Sequence, residues 1–292
     1  MKSMHGIWVP LVTPFSQGQV DFDAAQRLVS HLVAKGVHGL VVCGTTGEAS
    51  ALDDSEQELL LDAVLAAVGN TCPVLMGIGG SDTRSVVAQA RRYGEHDIAG
   101  FLLPAPAYVR PSQEGLLRHF EAVAQNSEHD IVLYNIPYRT GVNIELPTLQ
   151  ALARNPRFVA IKECGGNINQ LIDFINETPL AVLGGEDAQI LSTLCMGGSG
   201  AIAAAAHIRP DLFVALYECV RDGDLMEARS IFKLLLPLIR ALFSEPNPGP
   251  VKAALARGGW VEDELRLSMT TASAACKNRL AEIMERLEEV LV

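Results

Sequence analysis

The stretch DIVLYNIPYRTG, residues 130–141, begins as an apolar run and ends in polar side chains. Residues 131–133 are Ile, Val and Leu, as in a strand that is buried on both faces. Two phenols and a guanidinium follow, on Tyr134, Tyr138 and Arg139. A doubly buried strand predicts a parallel sheet, in which functional side chains lie just beyond the carboxyl ends of the strands.

Runs of the same kind recur along the chain, eight in all. They are GIWVPLVT from residue 6, GLVVCG from 39, PVLMGIG from 73, AGFLLPA from 99, DIVLYNI from 130, RFVAIKE from 157, LAVLGG from 180 and SGAIAAA from 199. Segments with apolar residues at helical spacing lie between them, such as SEQELLLDAVLAAVG from 55. Eight such units predict an α/β fold, the (β/α)8 TIM barrel. An open doubly wound sheet is the alternative, but it usually has a glycine fingerprint after the first strand, where this chain has TPFSQGQVD.

The carboxyl-terminal part of the chain has no further strand pattern. Residues 209–292 contain the helical segments DLFVALYECV, LMEARSIFKLLLPLIRALF and a last one ending RLAEIMERLEEVLV, with the proline-rich turn EPNPGPVK before the last. We therefore expect a barrel catalytic domain in residues 1–208 and a helical segment packed on it in residues 209–292.

The net charge of the chain limits its partners. Among its 292 residues, 34 Asp and Glu stand against 23 Lys and Arg, which gives a net charge of −11. A field of this sign repels phosphate backbones and anionic lipids. We expect neither nucleic acid nor a membrane surface as a partner.

The cysteines and the amino terminus indicate a reducing compartment. The six cysteines form no CxxC pair, and no histidine lies at zinc-ligand spacing, so we expect no metal site. The first apolar run is short and is broken by Pro10 and Pro14, unlike a signal peptide. A cytoplasmic protein is the expectation.

Polar residues collect where four of the predicted strands end. The segments are GTTGEAS from residue 44, PAPAYVRPS from 104, YNIPYRTG from 134 and KECGGN from 162. In a barrel of this kind these ends share one face, and that face carries the chemistry.

Lys162 follows the apolar run of residues 158–161. A lysine withdrawn from water there is partly neutral near neutral pH and can attack a ketone to form a Schiff base. A lysine paired with Glu163 or another carboxylate is the alternative. Tyr134 ends the neighbouring strand and could shuttle protons to the amine, the alternative being a buried tyrosine with a satisfied hydroxyl.

Two further elements favour the binding of carboxylates. Thr45 and Thr46 lie between glycines in a turn whose N–H groups and hydroxyls can hold an anion, although a plain turn is the alternative. Arg139 offers a bidentate clamp for a second carboxylate, although an isolated arginine is more commonly a surface residue.

These motifs give the chain a family likeness. GTTGE at 44, YNIPYRTG at 134 and IKE at 161 resemble the pyruvate-dependent class I aldolase family of dihydrodipicolinate synthase and N-acetylneuraminate lyase. The likeness extends from VTPF at 12 to PNPGPVK at 246. Within the family, RTG at 139, YVRPSQEGL at 108 and PNPGPVKAAL at 246 favour the synthases over the sialic-acid and keto-sugar lyases.

The resemblance implies a role for each candidate residue. Lys162 would form the pyruvate Schiff base, and Tyr134, Thr45 and Tyr108 would form a proton relay, with Tyr108 reaching into the site of a neighbouring subunit. Thr46 would bind the pyruvate carboxylate with backbone near Gly185 and Ile202, and Arg139 would guide the carboxylate of aspartate semialdehyde. The family likeness also implies a homotetramer built from tight dimers and no cofactor.

Two departures from the family pattern keep other substrates open. Tyr138 stands where a small residue is usual and could crowd the second-substrate pocket, and the alanines 203–206 with His207 replace a polar stretch. The first hypothesis is the condensation of pyruvate with aspartate semialdehyde. The alternatives are a lyase or dehydratase for a sugar-derived 2-keto acid, and a catalytically silent barrel that senses a keto acid.

Overall fold

The computed structural model describes residues 4–289 and contains a closed barrel of eight parallel strands. In chain order the barrel strands are β1 (Gly6–Pro10), β4 (Gly39–Val42), β5 (Val74–Gly77), β6 (Gly100–Pro104), β7 (Asp130–Asn135), β8 (Phe158–Glu163), β9 (Ala181–Gly184) and β10 (Gly200–Ile202). Two short strands, β2 (Phe15–Ser16) and β3 (Gln19–Val20), form a separate sheet. Around the barrel the strands follow the order β1-β10-β9-β8-β7-β6-β5-β4. The predicted barrel is confirmed, and each of the eight apolar runs contains one of its strands.

In chain order the helices are α1 (Phe22–Ala34), α2 (Asp54–Val68), α3 (Thr83–Tyr93), α4 (Gln113–Ala124), α5 (Pro137–Thr140), α6 (Leu146–Leu152), α7 (Ile168–Glu177), α8 (Ile190–Cys195), α9 (Pro210–Arg221), α10 (Leu225–Leu242), α11 (Gly249–Arg257) and α12 (Ala274–Glu289). Helices α1 to α8 lie between the barrel strands, and α9 to α12 follow the last one. The side chain of Asp53 caps α2 by accepting from Glu56 N–H, and Glu56 bonds back to Asp53 N–H. Such a reciprocal capping box satisfies two backbone donors that the first turn of a helix leaves unpaired.

The parallel register brings the two central candidates together. β7 and β8 pair along their length, and Tyr134 is the partner of Lys162 in the ladder. Because neighbouring residues in register point to the same face of a sheet, their side chains lie on one side.

A small hairpin of β2 and β3 follows the first barrel strand and was not predicted. Its two turn residues, Gln17 and Gly18, have φ angles of 51° and 81°. Two consecutive residues with positive φ form the tight turn that matches the twist of a two-stranded hairpin. The signal in the sequence is the pair Gln-Gly within a short polar segment.

The helical character of the segment after residue 208 is confirmed by α9 to α12. The run EPNPGPVK, however, is not wholly a turn, because α11 begins at Gly249 within it. Pro250 lies in the first turn of that helix, where a missing N–H costs nothing. Residues 290–292 of the last predicted helix lie outside the described residues.

The contacts of the chain divide it into two compact units. One contains the residues up to Gly6 together with Pro73–Ile202, and the other contains Ile7–Cys72 with the residues from Ala203 onward. Within residues 4–289, no helix has the length and apolar character needed to cross a membrane.

His207 joins the first and last parts of the second unit. Its Nε2 accepts a hydrogen bond from Val12 N–H at 3.1 Å, and its Nδ1 lies 2.8 Å from Ala204 O. Only the neutral ring with a proton on Nδ1 satisfies both partners. Burial lowers the pKa of His207 to about 4, although the bond to Ala204 opposes the shift.

The protonation of His207 should therefore make the free energy of unfolding depend on pH. The unfolded chain binds a proton at a histidine pKa of about 6.5, so acid favours unfolding as the pH falls from about 6.5 to about 4. Between about pH 7 and about pH 5, His207 should reduce the free energy of unfolding by about 2 kcal/mol. Urea unfolding of the wild type and of His207→Gln at both pH values measures this, and an equal loss in the two proteins would contradict it.

Candidate active site

Lys162 is buried at the carboxyl end of β8. Lys162 is 6% exposed, and its Nζ lies 4.3 Å from the centroid of the Tyr134 ring. Tyr134 is 5% exposed. The predicted juxtaposition of an amine and a phenol at the ends of neighbouring strands is therefore present, with the amine over the face of the ring.

Glu163 is directed away from Lys162. Its carboxylate accepts hydrogen bonds from Asn135 Nδ2 at 2.9 Å and from Gly165 N–H at 2.5 Å, and Gln170 is a further donor. Successive residues of a strand point to opposite faces, so the amine and this carboxylate lie on different sides of the sheet. An ion pair between Lys162 and Glu163 was the alternative expected from the sequence, and the hydrogen bonds of Glu163 instead hold the loops that follow β7 and β8.

Gly185 provides space for the lysine side chain. A Cβ atom on Gly185 would lie 2.7 Å from Lys162 Cε and would also collide with the Cys164 thiol. Its N–H donates to Glu163 O at 2.9 Å. A residue larger than glycine at this position would push the amine out of place.

Glu186, next to Gly185, was missed as a site residue in the sequence. Burial raises the pKa of its carboxyl group, and the nearby charges of Lys162 and Arg139 oppose that shift. Glu186 is therefore a carboxylate within electrostatic reach of both candidate cations. The sequence signal is the pair Glu-Asp at 186–187, directly after the two glycines at the end of the seventh barrel strand.

The Cys164 thiol lies beside the lysine but is not a nucleophile. Burial raises its pKa to about 12, and the nearby Lys162 lowers it only in part. Its sulfur forms a hydrogen bond with Tyr134. A thiol that stays protonated cannot compete with the amine for a ketone.

Arg139 lies on the short helix α5 and is exposed. Its guanidinium carbon is 5.5 Å from the centroid of the Tyr138 ring, and Tyr138 is itself 68% exposed. Gly141 ends the helix with φ 77°, and a Cβ there would lie 2.5 Å from Arg110 Nε. The glycine of the RTG motif thus allows the loop that carries Tyr108 to pass close to the loop that carries Arg139.

Tyr108 is 91% exposed and has a φ angle of 73°. The loop around it is held by Ser81, whose hydroxyl donates to Ala107 O at 2.8 Å. Positive φ is unfavourable for a tyrosine, so this loop presents the ring to solvent at a cost in backbone energy.

The threonine turn, which consists of residues 44–48, lies in the second compact unit. Thr46 is 5% exposed and Thr45 is exposed. The N–H groups of Gly47 and Glu48 donate to Gly44 O and Thr45 O within the turn. These two donors are thus used by the turn itself, and an anion would be held by the N–H groups and hydroxyls of Thr45 and Thr46.

Asn247 is a second residue that the sequence did not indicate. Its Nδ2 donates to Thr46 Oγ1 at 2.9 Å across 201 positions of chain. Ile202, the remaining candidate, ends β10 and is 1% exposed. In the described part of the chain, no group of three or more His, Cys, Asp or Glu side chains could hold a metal ion.

Comparisons with known proteins agree with this architecture. Residues 3–287 match the model of the dihydrodipicolinate synthetase family. The 4-hydroxy-tetrahydrodipicolinate synthase of Thermodesulfovibrio yellowstonii is 38% identical, over 96% of this chain and 97% of its own. That of Syntrophobacter fumaroxidans is 39% identical, over 96% and 98%.

Solved structures give the same result. Dihydrodipicolinate synthase from Aquifex aeolicus superimposes with a TM-score of 0.95 and 34% identity, covering 98% of both chains. The enzyme from Thermotoga maritima gives a TM-score of 0.95 and 33% identity, covering 97% of this chain and 98% of its own. With its barrel, its buried lysine and a match along almost its whole length, the chain belongs to the dihydrodipicolinate synthetase family.

Proposed function

We propose that the chain condenses pyruvate with L-aspartate 4-semialdehyde to give 4-hydroxy-tetrahydrodipicolinate, a step in lysine and diaminopimelate biosynthesis. The observation that carries the proposal is the buried Lys162 amine, 4.3 Å above the Tyr134 ring, in a chain that matches the family over residues 3–287. The relatives that it resembles over almost their full length are named for this synthase.

The reaction starts at Lys162. Its neutral amine attacks the ketone of pyruvate, and loss of water gives a protonated imine, which draws electrons from the adjacent methyl group. Loss of a methyl proton gives an enamine, whose carbon forms a bond to the aldehyde carbon of the second substrate. The amino group of that substrate then attacks the imine carbon, closes the ring and releases Lys162, so that one water is lost overall. The lysine acts as the electron sink, and the step needs no cofactor.

Tyr134, Thr45 and Tyr108 are the proposed proton relay. Each addition and elimination at the imine moves a proton, and a phenol beside the amine can both donate and accept it. The position of the Tyr134 ring against Nζ supports its part in the relay. The exposed ring of Tyr108 supports the view that it acts in the site of another subunit.

The carboxylates have separate proposed sites. Thr46 binds the pyruvate carboxylate, with backbone near Gly185 and Ile202, and Arg139 binds the carboxylate of aspartate semialdehyde. The support for Thr46 is its place after the second barrel strand and the family likeness. The support for Arg139 is its exposed guanidinium on the loop after β7.

We also propose the domain organisation, location, assembly and partners of the protein. Residues 1–208 form the catalytic barrel domain and residues 209–292 the helical segment packed on it. The protein is cytoplasmic and assembles as a homotetramer, a dimer of dimers in which Tyr108 crosses the tight interface. Its partners are the two small substrates, and neither nucleic acid nor a membrane is among them.

Trapping of the imine tests the identity of the lysine. Pyruvate with borohydride should add one pyruvyl-derived group per chain, on the peptide that contains Lys162, because reduction fixes the Schiff base. Lys252 is also buried, but its amine is paired with Glu48, so its peptide should stay unmodified. Mass spectrometry of the wild type, Lys162→Ala and the surface control Lys233→Ala gives the answer. Labelling that persists in Lys162→Ala would overturn the mechanism.

Kinetics of Arg139→Gln test the second carboxylate site. A lost hydrogen bond to a charged group should lower kcat/KM for aspartate semialdehyde about 10- to 150-fold. Pyruvate trapping should stay within about twofold, because a different loop holds that acid. Arg118→Gln, the same change at an exposed arginine of α4, is the matched control. Equal losses of pyruvate trapping and of kcat/KM for aspartate semialdehyde, together with a lower melting temperature, would instead show that Arg139 only braces its loop.

Subunit complementation tests the position of Tyr108. Tyr108→Phe and Lys162→Ala should each be nearly inactive alone. If Tyr108 serves the neighbouring site, a mixture with exchanged subunits should recover about a quarter of wild-type activity, because half of the dimers then contain one intact site of two. No recovery after verified exchange would place Tyr108 in the site of its own chain.

A further inference from the structure

The threonine turn has a backbone that its surroundings must hold in place. Cys43 and Glu48, which border it, have φ angles of 54° and 52°. Positive φ is unfavourable for both residue types and persists only where neighbouring contacts fix it. One such contact is the Thr13 hydroxyl, which donates to Gly47 O at 2.6 Å.

The carboxyl-terminal segment supplies a stronger contact at the end of the turn. Lys252 Nζ on α11 lies 2.5 Å from Glu48 Oε1, and the two side chains are 0% and 2% exposed. The same amine donates to Glu264 O at 2.8 Å and lies 4.1 Å from the centroid of the Phe15 ring. A buried charge pair with these additional partners fixes where the turn ends, because separating it would leave a charge without a partner.

A second contact from the same segment reaches the threonine itself. The Asn247 amide donates to Thr46 Oγ1 at 2.9 Å, just before α11 begins. A threonine hydroxyl has one proton and two acceptor sites. Because Thr46 Oγ1 accepts from the amide, its own proton is directed elsewhere and remains available to an anion.

We infer that Asn247 is a positioning residue that turns the Thr46 hydroxyl toward the carboxylate of the keto acid. The inference rests on the proposed function, in which Thr46 binds pyruvate. It adds a role for the helical segment, which orients one group of the anion site from 201 positions away along the chain. Asn247 acts through Thr46 and not on the reacting atoms.

A double-mutant cycle tests this, with the pyruvate concentration that gives half-maximal borohydride trapping as the readout. Asn247→Ala should raise that concentration about 2- to 10-fold, the effect of one neutral hydrogen bond. Thr46→Val should raise it about 10- to 150-fold, the effect of a bond to a charged group. Once valine has replaced Thr46, Asn247→Ala should add less than about twofold, because the group on which it acts is gone.

Two further variants test whether residue 247 donates to Thr46 and whether the effect is specific to this amide. Asn247→Asp should be worse than Asn247→Ala, because a carboxylate takes the Thr46 proton for itself and repels the pyruvate anion. Asn126→Ala removes a similar amide bond, 2.8 Å to Ala122 O, far along the chain from the turn and should change nothing.

The possible failures differ from one another. If wild-type protein is not trapped by pyruvate, the proposed function fails. If it is trapped but the effects of Asn247→Ala and Thr46→Val multiply, Asn247 does not act through Thr46. An Asn247→Asp protein with normal pyruvate affinity would show that the hydroxyl donates to residue 247, which also overturns the inference.

Discussion

Burial of the Lys162 amine is the constraint on which the arrangement of the first unit depends. A cation withdrawn from water needs compensation from its surroundings. The face of the Tyr134 ring, 4.3 Å from Nζ, provides part of it, and the Glu186 carboxylate is within electrostatic reach. Gly185 leaves space for the side chain, and the amides around Glu163 hold that carboxylate, which follows Lys162 in the strand.

The chain contains a second buried lysine, Lys252, whose amine has different partners from that of Lys162. Burial lowers the pKa of Lys252, but its contact with Glu48 at 2.5 Å and its bond to Glu264 O occupy the amine. Lys162 Nζ instead lies over the face of an aromatic ring, 4.3 Å from the centroid of Tyr134. Two lysines of similar burial thus have different partners, which is why we propose Lys162, and not Lys252, as the amine that forms the imine.

The sequence predicted what depends on local pattern. Doubly apolar runs at regular intervals indicate parallel strands, and the residues at their ends predict Lys162 and Tyr134 as neighbours. The bond of Asn247 to Thr46 was not predictable, because it joins residues 201 positions apart and no periodicity encodes it. The position of Glu186 near Lys162 and Arg139 was not predictable for the same reason. The turn of the hairpin β2–β3 had a local signal, the pair Gln-Gly, that is too short to distinguish a hairpin from a loop.

Steady-state turnover of a small panel of substrates tests the central claim most directly. Purified protein would be given pyruvate with aspartate semialdehyde, and separately N-acetylneuraminate and keto-deoxy sugar acids. The proposed synthase should consume pyruvate and aspartate semialdehyde together, with no comparable cleavage of the sugar acids, because the proposed role of Arg139 is to bind a second carboxylate. Efficient cleavage of a sugar acid with poor turnover of aspartate semialdehyde would contradict the assignment and leave only the Schiff-base chemistry standing.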